Sequence, residues 1–67
     1  MTIQIFVNGE AETVPSSTIA ELVTYKGLSP GALVVEWNQR IVKQEEWSSV
    51  RLQEQDRLEL LSFVGGG

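Results

Sequence analysis

Apolar and polar residues alternate at the start of the chain. Ile3, Ile5 and Val7 fall at every second position among Thr2, Gln4 and Phe6, so an extended segment there carries one aliphatic face. Asn8-Gly9 follows, a pair suited to the two left-handed positions of a type I′ turn. Residues 11–14 return, and the pattern predicts a β-hairpin. Pro15 and two serines end it, and the period changes. Ile19, Leu22 and Val23 lie at i, i+3 and i+4, the apolar stripe of a helix. Thr18 and Glu21 have the spacing of a capping box. Gly27 suits the left-handed position after Lys26, and Pro30 bars continuation. The spacing predicts a helix over 19–26, too short to be stable alone in water and in need of a sheet to lie on.

Further along, ALVVEW at 32–37 reads as a third strand, Asn38-Gln39 as its turn and 40–43 as a short fourth strand. QEEWSSV at 44–50 lacks alternation and reads as one helical turn with Trp47 folded inward. Residues 54–56 form a polar turn, and RLELLSFV at 57–64 is the last strand. Two strands, a helix, two strands, a turn and a final strand make the order of a β-grasp fold. This is an α+β domain with a mixed sheet of four to five strands and one main helix packed on one face. Its first and last strands are expected side by side and parallel in the middle of the sheet. Residues 1–63 form the domain, and 64–67 a flexible glycine tail.

The helix must cover Ile3, Ile5, Val7, Leu58 and Leu60. Alternation then turns Arg57, Glu59, Leu61 and Phe63 to the open face, together with Phe6. Phe6, Leu61 and Phe63 are expected close together there as a candidate docking patch. The competing reading is that single exposed apolar residues are ordinary, and a slip of one residue in register exchanges the two faces.

Composition narrows the chemistry. The 67 residues contain neither Cys nor His, which removes disulfides, the commonest metal ligand and the commonest general base. Nine acidic residues against five basic ones give a net charge of −4, opposed to nucleic acid or an anionic membrane as partner. No apolar run approaches the ~20 residues of a membrane span, and the opening residues lack the basic-then-apolar pattern of a signal, so a cytoplasmic location is expected. Glu45 and Glu46 are adjacent and do not converge as a catalytic pair; they read as a solvated turn. Trp37 and Trp47 read as packing residues.

SFVGGG at 62–67 stands apart. Three glycines cannot pack, and a cloning remnant or a cut linker leaves the same residues. Function gives them another reading. Without Cβ atoms, the backbone can enter a narrow channel and leaves the terminal carbonyl unshielded. Val64, Gly65, Gly66 and Gly67 extend roughly 13 Å at ~3.3–3.6 Å per residue, enough to thread into a partner's active site. The Gly67 carboxylate is a poor electrophile and requires activation, for which adenylation by ATP is suited. No phosphate-cradling glycine loop opens a helix in this chain, so a separate enzyme must supply that step.

In order along the chain, VNGE at 7–10, TIAEL at 18–22, VVEWNQRIV at 34–42, EEW at 45–47, DRLEL at 56–60 and the closing FVGGG resemble the ThiS-type sulfur carriers of thiamine biosynthesis, within the ubiquitin-like β-grasp group. Gln55 departs from the glycine frequent at that turn. The resemblance implies a protein without catalytic residues or bound cofactor of its own, acting as a co-substrate. An E1-like adenylyltransferase would use ATP and Mg to convert the Gly67 carboxylate to an acyl-adenylate. Sulfur from a cysteine desulfurase system would then give a thiocarboxylate, and thiazole synthase would take the sulfur. Two alternatives are the small subunit of molybdopterin synthase, a carrier with the same terminal chemistry, and a ubiquitin-like modifier attached to lysines of target proteins. A plain interaction domain with an inert tail is a further alternative.

Overall fold

A computed structural model describes residues 1–63. The opening alternation forms β1 (Thr2–Val7), which pairs antiparallel with β2 (Glu10–Pro15). Asn8 and Gly9 join them at φ 52° and 85°, the two left-handed conformations that a type I′ turn requires. Helix α1 (Ile19–Tyr25) begins at the expected capping box: the Thr18 hydroxyl accepts from the Glu21 N–H at 3.2 Å, and the Glu21 carboxylate accepts from the Thr18 N–H at 2.8 Å. It ends one residue earlier than expected, with Lys26 as the cap and Gly27 at φ 71°. The Gly27 N–H donates to the Thr24 carbonyl and the Leu28 N–H to the Val23 carbonyl, which satisfies the last turn.

Pro30–Ala32 forms a short 3₁₀ turn, which the pattern did not predict, so β3 (Leu33–Trp37) starts one residue late. β4 (Arg40–Val42) stops one residue before the expected end. The anticipated helical turn is a 3₁₀ helix over Gln44–Ser49. Its Trp47 is folded inward, 4% exposed, and its indole N–H donates to the Val42 carbonyl at 2.9 Å. β5 (Arg57–Ser62) ends before Phe63, and the expected end at 64 lies outside the described residues. Phe63 lies outside the strand, although its N–H donates to the Ala32 carbonyl at 2.7 Å.

The five strands are ordered β2-β1-β5-β3-β4, with β1 and β5 parallel at the centre. This is the ubiquitin-like β-grasp architecture. Ile19, Leu22 and Val23 of α1 pack onto Ile5, Val7, Val35, Leu58 and Leu60. The aliphatic face of β1, with Ile3 partly buried, lies on the helix side as its alternation requires. After the 3₁₀ helix the chain runs back to the start of α1: the Ile19 N–H donates to the Val50 carbonyl and the Leu52 N–H to the Ser17 carbonyl. Among the described residues no helix is long and apolar enough to cross a membrane.

Candidate functional site

β5 carries the chain toward the glycines, and its neighbours decide how. Its pairing with β1 is short, Phe6 with Arg57 and Val7 with Leu58. Its antiparallel pairing with β3 runs the full length from Trp37–Leu58 to Leu33–Ser62. The strand that leads to the glycines is therefore held at the centre of the sheet. Val64, Gly65, Gly66 and Gly67, the expected threading and reacting residues, lie outside the described residues.

The register separates the expected docking patch. Phe6 is opposite Arg57, whereas Leu61 is opposite Val34, four residues further along β5. At ~3.3 Å per residue that is about 13 Å. Phe6 is half-buried, and the Arg57 guanidinium sits 4.9 Å from its ring centroid, a cation–π contact that covers it. The expectation that Phe6, Leu61 and Phe63 lie together on one face is thus corrected: alternation assigned the faces, but the stagger between β1 and β5 moves Phe6 to the other end. Leu61 and Phe63 are near the tail and exposed, at 53% and 58%.

The open face beside β5 also holds residues of β3 and β4 that were not anticipated. Val34 lies opposite Leu61, Glu36 opposite Glu59, and Ile41 opposite Glu36. Ile41 is 68% exposed. The signal was present, because Val35 and Val42 facing inward require Val34, Glu36 and Ile41 to face outward. Two carboxylates stand directly opposite each other, an arrangement that disfavours pairing of the strands. Among the described residues neither has an ion-pair partner; the salt bridge found is Lys26–Glu12 at 2.9 Å. An apolar surface carrying uncompensated negative charge is complementary to a partner with apolar groups around Lys or Arg.

Two polar side chains position β5. Asp56, 8% exposed, accepts hydrogen bonds from the Trp37 indole N–H at 2.9 Å, the Asn38 amide at 3.1 Å and the Gln53 N–H at 2.8 Å. At the hairpin turn, the Asn8 Oδ1 accepts from the Leu60 N–H at 2.8 Å and its Nδ2 donates to the Leu60 carbonyl at 3.4 Å. Among the described residues no group of three acidic residues is placed to hold a metal ion.

Known proteins share this layout. The crystal structure of the thiamine biosynthesis protein ThiS from Geobacter metallireducens superposes with a TM-score of 0.83 at 28% identity, covering 97% of this chain and 100% of that one. A thiazole synthase of Magnetococcus marinus is 35% identical over 65 residues, 96% of this chain. The chain spans 20% of that relative's length, so the matched region is one part of a longer protein there. The uncharacterized protein ycf40 of Trieres chinensis is 30% identical over 63 residues, 92% of this chain and 86% of that one. The ThiS family model matches residues 3–67, through the glycines as well as the domain, and the chain belongs to the ThiS family.

Proposed function

We propose that the chain is a sulfur carrier for thiamine biosynthesis, with Gly67 as its reacting residue. The observation that carries this reading is the family match through residue 67. The central strand β5, which leads toward those glycines, supports it.

In this reading an E1-like adenylyltransferase brings Mg-ATP to the Gly67 carboxylate. A carboxylate oxygen attacks the α-phosphorus, pyrophosphate leaves, and an acyl-adenylate results. The terminal sulfur of a persulfide, supplied by a cysteine desulfurase system, attacks the carbonyl carbon and AMP leaves. Cleavage of the S–S bond by a thiol frees the thiocarboxylate. Thiazole synthase then takes the sulfur, regenerating the carboxylate. The occurrence of a related region within a longer chain called thiazole synthase supports that partner. The carrier supplies recognition rather than catalysis. Val64, Gly65 and Gly66 thread the active site, and Leu61, Phe63, Val34 and Ile41 dock the partner around Glu36 and Glu59.

Intact-mass measurement tests the reading. The purified chain, incubated with the adenylyltransferase, ATP and a sulfur donor, gains the mass of one oxygen replaced by sulfur. No gain with an enzyme shown to be active overturns the proposal. Deleting Gly67 abolishes the product and leaves the melting temperature unchanged, because the buried core among the described residues lies between Ile5 and Leu60.

A further inference from the structure

The sheet is incomplete beside the end of β5, on the β1 side. Hydrogen bonds from β5 alternate in direction. Arg57 and Phe63 bond toward the β3 side: the Asn38 N–H donates to the Arg57 carbonyl at 2.8 Å, and the Phe63 N–H to the Ala32 carbonyl at 2.7 Å. Leu58, Leu60 and Ser62 point to the β1 lane, where the Asn8 N–H donates to the Leu58 carbonyl at 2.9 Å. There β1 turns away into the hairpin. The Asn8 side chain takes over the next position by bonding the Leu60 main chain. Ser62, exposed, comes next, and among the described residues no strand pairs with it on that side.

Beneath this lane, on the helix side of the sheet, lies a notch of about 350 Å³. Val7, Leu28, Leu33 and Leu60 form its apolar lining. Val7, Leu33 and Leu60 retain 5%, 8% and 7% exposure, where Ile5 and Val35 deeper in the core have 0%. The rim is acidic. Glu12 is neutralised by Lys26 at 2.9 Å, whereas Glu10 is exposed and without an ion-pair partner among the described residues.

We propose that this lane and notch bind an extended segment of the adenylating enzyme, on the side of the sheet opposite the open-face patch. The segment pairs its main chain with Ser62 as a short added strand, places one apolar side chain in the notch and sets an adjacent Lys or Arg against Glu10. Each feature follows from the site: an open strand position offers main-chain N–H and C=O groups, the lining is apolar, and the uncompensated rim charge is negative. The proposal rests on the carrier reading: an enzyme that takes up residues 64–67 meets Ser62, which ends β5 two residues before them.

The test is ATP–pyrophosphate exchange by the purified adenylyltransferase, with wild-type carrier and with Glu10→Lys, each checked for an unchanged melting temperature. Glu10→Lys raises the KM for the carrier about tenfold and leaves kcat unchanged, because a rim charge governs encounter more than chemistry. Hydrogen exchange on the wild-type complex shows the Ser62 amide protected relative to the free protein. If wild-type carrier supports exchange, an unchanged KM for Glu10→Lys or an unprotected Ser62 amide overturns this proposal alone. If wild-type carrier supports no exchange, the carrier reading falls and this proposal with it.

Discussion

The Trp37 indole N–H donates to the Asp56 carboxylate at 2.9 Å, tying the end of β3 to the turn that launches β5. The same carboxylate accepts from Asn38 and from the Gln53 N–H, while the Asp56 main-chain carbonyl accepts from the Phe6 N–H at 2.9 Å. One nearly buried residue thus sets β5 against both β1 and β3.

Asp56→Ala leaves the indole and the Gln53 amide without their acceptor. A donor deprived of its partner costs about 1–3 kcal/mol when buried, and this site is partly buried, so the lower end of that range is expected. For a domain of this size that lowers the melting temperature by roughly 4–8 °C per kcal/mol. Urea unfolding followed by tryptophan fluorescence measures the loss. An unchanged midpoint refutes the role given to Asp56.

Gln55 lies in that turn at φ 73°, a left-handed conformation that costs a residue with a Cβ roughly 1–2 kcal/mol. Glycine adopts it freely but gains about 0.4–1 kcal/mol of entropy in the unfolded chain. Gln55→Gly therefore raises stability by the difference, on the order of 0.5–1 kcal/mol. The urea midpoint moves up without a change in slope.

Glu36 and Glu59 face each other across β3 and β5 and repel. Glu59→Lys converts the repulsion to attraction, so the isolated domain unfolds at higher urea. If the open face docks on a basic surface, the same change raises the KM of the adenylation step and steepens its loss with charge reversal at Glu36. Stability and function then move in opposite directions, which a purely structural role for the pair does not produce.

The features legible in the sequence are local ones. The Asn8-Gly9 turn, the Thr18–Glu21 capping box and the Gly27 cap each depend on residues within a few positions, and the structure has all three. Alternation likewise gave the correct faces for Ile5, Val7, Leu58 and Leu60. The stagger of β1 against β5 is different, because it is set by strands far apart in the chain. That is why Phe6 lies beside Arg57 and away from Leu61. The role of Asp56 was hidden for the same reason. It reads as a polar turn residue until Trp37 and Asn38 are brought to it from 19 and 18 positions away. Phe63 has the composition of a strand residue, but the Pro30–Ala32 turn means that β3 begins only at Leu33, so the strand pairing of β5 ends at Ser62 and Phe63 bonds to Ala32 in that turn.

Asn8 combines a local and a distant duty, and two substitutions separate them. Its φ of 52° serves the hairpin, while its side-chain amide satisfies the Leu60 main chain across the sheet. Asn8→Gly keeps the turn conformation and removes the amide, at a cost of about 0.5–1.5 kcal/mol for the hydrogen bond lost. The Leu60 N–H then lacks its acceptor, and its hydrogen exchange accelerates while the Leu58 amide, one step back in the lane, remains protected. Asn8→Asp keeps an acceptor oxygen for the Leu60 N–H and loses only the weaker 3.4 Å contact to the Leu60 carbonyl. Leu60 protection is therefore retained in Asn8→Asp and lost in Asn8→Gly. Equal exchange at Leu60 in the two variants would show that the turn alone, rather than the amide, holds this end of β5.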